Sequence, residues 1–485
     1  MPAVPADRIV GCASGGVIAA GRHRFSHNAL LDLIAAAPNA SWLQANTNTF
    51  QSQWPVDDYL PMFGAGPGDP QAIIRAWSGF GWDSKNHRLV IFGGGHANYS
   101  GNDTYIWDAV TRQWTLAFYP SDVKTNATGH ETIDGPLHSP VASHTYCNNN
   151  YLPLLDRFIT FGGAAHSSGG PFLITDGGGA TLRMLPGGYT CNLAQAGQGK
   201  VGGLTGSNVK RGSSLGVDLA GANAWYPRDW LLDHPQAALA ANLTRHVNFF
   251  TIYHEEDGKD VLYVGASSGG TTPHLFRVQY NDADNYLTDS ITHVGQAWSN
   301  TGVDTGAAFD PVNNTVIYLG SGTYPIYGWD LDYASATNHN FRVAPAGITG
   351  PDAAEWLANG VADMGLLYDP IRGYFVSWDR GGRVWSIEVP VGDPIPESGW
   401  VVTKIKDTAV GETRPATALE LGYGQVPEND QEMDRGVCGK WKYAPDMDCY
   451  IALQGSFSGN IGLYKPTGWQ DPRNEKDMAY APNPG

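Results

Sequence analysis

Eight of the 14 histidines fall before residue 167, and four of them sit in three short polar segments: GGGHANYSGN from Gly93, HSPVASHTY from His138 and GGAAHSSGG from Gly162. A neutral imidazole or phenol can withdraw a proton beside a uronate carboxylate while a cation neutralises the developing charge, which is the eliminative chemistry of a polysaccharide lyase. His96, Tyr99, His144 and Arg211 are the residues that would carry it, with Asn98, Tyr146 and His166 as neighbouring ligand contacts. Three imidazoles can equally hold a transition metal. The plain alternative is that His144 and Tyr146 begin an inner strand and His96 caps its glycine turn. The residue types leave these readings open, assign no residue to a metal and name no cofactor. A glycosidase would instead need two carboxylates flanking the scissile bond. Glu432, Asp434, Asp363 and Asp379 are available, but loop carboxylates of this kind usually cap turns.

Aromatic residues offer recognition without chemistry. Tyr324, Tyr327, Trp378 and Phe457, with Trp298, lie in or beside segments rich in Gly and Ser. Sugar rings pack their C–H faces on aromatic planes while amides and hydroxyls complete the contact.

These residues can meet only if the chain brings distant loops together, and its repeats predict how. LVIFGGGHANYSGNDTYIWD, residues 89 to 108, has a skeleton that returns along the chain: a turn with Asp or Pro, a short apolar run, then Gly with small polar residues. Copies begin at Trp82, Tyr151, Glu256, Phe309, Tyr368 and Tyr443, with a weaker one, SLGVDLAGANAWY, at Ser214. Hairpin units recurring at this period are the signature of a β-propeller. The expectation is an all-β, seven-bladed ring with blades near residues 76–120, 141–190, 209–245, 246–300, 303–345, 361–405 and 436–464. In such a ring the loops between second and third strands, and those leading from one blade to the next, open on the same end. The polar segments above then share one rim.

The organisation is an N-terminal arm (1–40) with a short helix over FSHNALLDLIAAA, a single propeller domain (41–470) and a C-terminal tail (471–485). The last blade shows only three strands, so SWLQANTNTF, from Ser41, is expected to close the ring as its missing outer strand. Residues 187–212 read as a long excursion between blades, and PRDWLLDHPQAALAANLTRH from Pro227 as a second insertion with a helical middle.

Charged residues are only 16% of the chain while Gly numbers 61 and Trp 16, a neutral, turn-rich, aromatic composition suited to a polysaccharide or other glycan partner. A net charge of -17 argues against nucleic acid, whose phosphates require clustered Lys and Arg. No stretch approaches the ~18 apolar residues of a membrane span. Ile9-Val10-Gly11-Cys12 superficially fits a lipoprotein cleavage box, but no apolar run precedes it, and no classical export signal is evident. Five cysteines leave at least one thiol unpaired; Cys438 and Cys449 flank one hairpin, where isolated strand cysteines usually serve as small buried hydrophobes.

Phe92-Gly93-Gly94-Gly95 leading to Tyr105 and Trp114, and Ile159-Thr160-Phe161-Gly162-Gly163 opening a second unit, resemble the kelch repeat. Kelch propellers include galactose-oxidase-type copper enzymes, glycan-acting enzymes and plain binding modules, so the resemblance implies a fold rather than an activity. The copper-radical chemistry also needs a cross-linked Cys–Tyr pair and a further C-terminal domain supplying a ligand, which this sequence does not display. The block AWSGFGWD, GGGHANYSGNDTYIWD and ASHTY is also similar to kelch-like proteins of bacteria and their phages. That similarity implies a virion or extracellular protein, such as a phage-tail component, that contacts bacterial surface polysaccharide and other tail proteins. A glycan-cleaving enzyme and a protein-docking propeller are the alternatives.

Overall fold

In the computed structural model, the described residues are 27–55, 70–74, 77–93, 99, 101–126, 129–161, 173–175, 181–197, 199–206, 219–243, 250–268, 272–296, 306–320, 323–333, 340–379, 382–407, 437–455 and 457–474. They form a β-propeller of six blades, each built on a four-stranded antiparallel meander. Blade one is Phe80–Asp83, Arg88–Phe92, Thr104–Asp108 and Gln113–Phe118. Blade two runs Asn149–Leu152, Arg157–Thr160, Tyr189–Cys191 and Trp225–Pro227. Blades three, four and five follow at 251–296, 307–343 and 365–406. Blade six comprises Trp441–Ala444, Cys449–Gln454, Asn460–Lys465 and, as its outer strand, Ser41–Gln44.

The repeat that announces the blades has a local cause. At the turn between first and second strands, Asp83 accepts hydrogen bonds from the backbone N–H of Lys85 and Asn86 at 3.1 and 3.0 Å. Asp310 does the same for Val312 and Asn313, and Asp369 for Ile371 and Arg372. The carboxylate stands in for a backbone acceptor and fixes the turn, which is why an Asp follows the aromatic residue at the end of these first strands. All three side chains are fully buried. Arg372 also ties blade five to blade six, reaching Asp369 at 2.7 Å and Asp448 at 2.8 Å.

Among the described residues there are six blades, and none forms at 209–245, where a seventh was expected. From its described residues, Trp225–Pro227 pairs with Tyr189–Cys191 as the outer strand of blade two. The described part of this weak repeat copy is divided between partners, Ala220–Gly221 pairing with Lys200–Val201 and the strand from Trp225 with Tyr189–Cys191. Trp225 instead fills the space beside Phe92, Phe158 and Tyr189. Pro227 is tolerated because the strand is an edge. The Gly-rich excursion therefore lies within blade two, where Lys200–Val201 pairs in parallel with Ala220–Gly221. The insertion that follows forms a short helix, Ala237–Ala240, anchored to blade three through the fully buried Arg228–Asp289 pair at 2.7 Å.

The closing strand is found where the sequence places it. Ser41, Trp42, Leu43 and Gln44 pair with Lys465, Tyr464, Leu463 and Gly462. Trp42 is 4% exposed, sits against Trp378, Trp441 and Tyr464, and donates its indole N–H to the Gly382 carbonyl at 3.0 Å. The helix Asn28–Ala36 buries Leu30, Leu31 and Ile34 on the cluster between blades six and one. Among the described residues no helix is long and apolar enough to cross a membrane, and Cys147, Cys191, Cys438 and Cys449 are all buried.

Candidate functional site

The strand registers settle which loops share an end. Phe80 pairs with Ile91, Ala307 with Tyr318 and Gly365 with Trp378, so each first strand begins where its second strand finishes. Linkers between blades and loops between second and third strands therefore open on one mouth of the ring. Three linker residues there, Trp77, Tyr146 and Cys438, are non-glycine residues held at positive φ of 52°, 44° and 49°. Such backbone costs of order 1–3 kcal/mol each and persists only where surrounding structure enforces it.

What enforces it is a backbone circuit joining the entries to blades one, two and six. The N–H groups of Thr145 and Tyr146 donate to the Trp77 carbonyl at 3.0 and 2.9 Å, Gly439 N–H donates to Tyr146 O at 3.3 Å, and Phe80 N–H to Gly439 O at 3.2 Å. The approach is so close that a Cβ on Gly79 would lie 2.5 Å from the Tyr146 carbonyl oxygen and 2.7 Å from the Gly439 Cα. Glycine is required there for space.

On this frame stands an aromatic wall with polar edges. The Trp77 and His144 rings lie 4.8 Å apart at 30°, and His144 Nδ1 is 3.3 Å from the Tyr146 hydroxyl. Trp77 and His144 are partly exposed. One contiguous apolar cluster carries Tyr146, Cys147, Tyr327 and Cys438, with Trp77 and Tyr324 packed against it. Tyr324 meets Tyr327 edge-on, and the Arg342 guanidinium lies 4.3 Å over the Tyr324 ring. Beneath the wall, the hydroxyls of Ser143 and Thr145 are buried with no hydrogen-bond partner.

Lys442, on the inner strand of blade six, reaches Asn150 Oδ1 on the inner strand of blade two at 3.1 Å. The residue as a whole is only partly enclosed, but its ammonium end sits among inner strands. Burial lowers its pKa to about 8, with the Cys147 thiol pulling weakly the other way. An amine so placed is neutral for about one tenth of the time at pH 7, which an ordinary lysine is not.

Of the residues singled out in the sequence, the structure brings His144, Tyr146, Tyr324 and Tyr327 to this mouth. His96, Asn98, His166 and Arg211 lie outside the described residues. Tyr99 is 1% exposed inside the blade-one cluster, and its hydroxyl is committed to Asp103, which also accepts from Tyr105 at 2.6 Å. Trp378 is fully buried between blades five and six, against Trp42 and Trp441, where an indole serves packing and cannot meet a ligand. Phe457 packs on Trp54 at 5.3 Å, beside the cluster between blades six and one. Asp379 is occupied by Arg383 at 2.6 Å. Trp77, Lys442 and Cys147 stand at this mouth without a residue pattern that singles them out. Trp77 stood in the quoted AWSGFGWD block; Lys442 gives no sequence signal beyond opening a blade.

The sequence matches no family model and no curated protein. Among solved structures, the chain is similar to an auxiliary nutrient binding protein from Bacteroides thetaiotaomicron, at 12% identity over 86% of this chain and 76% of that one, with a TM-score of 0.36. It is similar to a luciferin-regenerating enzyme at 11% identity over 86% and 95% of the two chains, TM-score 0.34. A gluconolactonase from Xanthomonas campestris matches at 11% identity over 89% and 99%, TM-score 0.33. At this distance the propeller assignment rests on the six sheets themselves.

Proposed function

We propose that the mouth formed by the blade linkers binds a carbohydrate, and that the protein recognises a polysaccharide through it. The observation that carries this reading is the partly exposed Trp77, held at positive φ by the linker circuit and continuous with Tyr146, Tyr324 and Tyr327. The partly exposed faces of Trp77 and Tyr324 suit the C–H faces of sugar rings, with the buried Tyr146 and Tyr327 backing them, and His144 and Arg342 at the edge supply polar contacts. Glycan array binding of the full chain tests it. Trp77→Ala and Tyr324→Ala are expected to weaken binding at least about tenfold, the loss of one stacked ring, while remaining folded by circular dichroism. No bound glycan, or equal binding by both variants, overturns the proposal.

The kelch-like character and the virion setting belong to the same reading. They rest on the sequence resemblance alone, which would make the ligand a bacterial envelope polysaccharide and the protein a tail-associated component. Co-purification with tail proteins from phage particles tests that setting.

The lowered pKa of Lys442 favours a second reading, in which the bound glycan is also cleaved by acid–base chemistry. A lyase must generate an unsaturated product, so ultraviolet absorbance during incubation with acidic polysaccharides separates cleavage from binding. Silence across a panel that binds leaves recognition alone.

A further inference from the structure

The end of the ring opposite the mouth carries the turns between first and second strands. At the seam where blade six meets blade one, two of these turns contact the N-terminal segment. His27 immediately precedes the helix Asn28–Ala36. His87 closes the blade-one turn at φ 56°, and Asp446 lies in the blade-six turn between Ala444 and Cys449. One ligand-capable atom from each of the three lies within 4.8 Å of the other two. The two imidazoles are 3.9 Å apart between centroids, tilted 42°, and His87 Nδ1 is 2.6 Å from Asp446 Oδ2.

The hydrogen bonds around the trio determine protonation. His27 Nε2 lies 3.1 Å from the Asp446 carbonyl oxygen, and a carbonyl can only accept, so Nε2 carries the proton. That leaves Nδ1 with its lone pair, and this nitrogen is buried with no hydrogen-bond partner on a fully buried residue. Buried polar atoms are almost always satisfied. A histidine with one N–H anchored on a backbone carbonyl and the other nitrogen unspent has the arrangement that metal ligation uses. Trp82 donates its indole N–H to Asp446 Oδ1 at 2.8 Å, orienting the carboxylate as an outer partner does at metal centres.

We propose that His27, His87 and Asp446 form a binding site for a divalent transition metal of the zinc class, which staples the N-terminal segment across the seam between the first and last blades. Zinc holds nitrogen and oxygen ligands at about 2.0–2.1 Å, so neighbouring ligand atoms stand roughly 3.3 Å apart in a tetrahedral site. The proton between His87 Nδ1 and Asp446 Oδ2 is released to solvent on binding, that pair opens slightly from 2.6 Å, and the widest pair closes from no more than 4.8 Å, adjustments within reach of side-chain rotation. The site joins residues 419 apart in the chain, and anything that binds only the closed ring stabilises it by mass action.

Untagged full-length protein stripped with a chelator and titrated with zinc chloride tests this by calorimetry and thermal unfolding. Wild type is expected to bind one equivalent and melt at a higher temperature with zinc. His27→Gln and Asp446→Asn are each expected to lose at least about tenfold in affinity and most of the thermal shift. His293→Gln, which removes one member of the separate His274–His293 pair at 3.0 Å, is expected to bind as wild type. Cobalt(II) added to the stripped wild type should give the intense visible bands of a low-coordinate nitrogen–oxygen site, a readout that needs no variant to fold. Absence of zinc uptake, absence of those bands, undiminished binding by His27→Gln and Asp446→Asn, or loss of binding in His293→Gln would each overturn the proposal.

Discussion

Replacing Trp42 by alanine probes the bond on which the whole ring depends. Blade six has three strands of its own and borrows the fourth from residues 41–44, so the propeller is closed by pairing across more than four hundred residues of chain. Trp42 is 4% exposed and contacts Trp378, Trp441 and Tyr464. A buried tryptophan removes about 150–250 Å² from water, which at about 25 cal/mol/Å² corresponds to roughly 4–6 kcal/mol as an upper bound. Truncations of this size in cores cost about 3–5 kcal/mol. The Gly382 carbonyl also loses its indole donor, worth about 1 kcal/mol more. Trp42→Ala is therefore expected to destabilise by about 4–6 kcal/mol. Trp42→Phe, which keeps most ring contacts, should cost well under half of that. Urea unfolding followed by circular dichroism measures the loss, and hydrogen exchange locates it. Amides of 41–44 and 460–465 should become the fastest-exchanging strands of the ring. A loss below about 1 kcal/mol, or exchange that rises equally in all blades, would refute closure by this strand.

Three further outcomes follow from buried charges. Asp289→Ala leaves the fully buried Arg228 without its countercharge and should cost about 3–5 kcal/mol, whereas the double change Arg228→Met with Asp289→Leu should recover most of it in thermal unfolding. Burial raises the Asp103 pKa to about 6, which outweighs the opposing hydrogen bonds from Tyr105 and Tyr99. A folded pKa above the unfolded value of 3.8 means this group's contribution is full below that pH and is lost as pH rises through about 6. Asp103→Asn should flatten the stability–pH curve between these values by about 3 kcal/mol, and an unchanged slope would exclude the assignment. Lys442 should react with amine-acylating reagents near pH 8 ahead of other lysines, read by peptide mass spectrometry, and Lys442→Met should stabilise the protein below that pH because the buried cation is removed. Reactivity that rises only near the ordinary lysine pKa would contradict it.

The hairpins were legible in the sequence because their causes are local. An Asp that satisfies two backbone N–H groups two and three residues on leaves the same short signature at Asp83, Asp310 and Asp369. The closing strand was legible too, since a blade with three evident strands requires a donor. The blade count was not, because the outer strand of blade two comes from Trp225–Pro227 after a long excursion, and strand partnership is decided by which sheet edge lies open in space. His144 and Tyr146 could be found from their place in a linker, and so could Tyr324 and Tyr327 from theirs in a loop. Trp378 could not be told apart from them, since a strand-end indole looks the same whether its face meets water or Trp42. The sequence by itself determined turns, strands and the polarity of the rim. Only tertiary packing decided which side chains lose their water, as Lys442 does beside Asn150, and which distant groups converge, as His27, His87 and Asp446 do, because desolvation and proximity are properties of the closed ring and not of any segment.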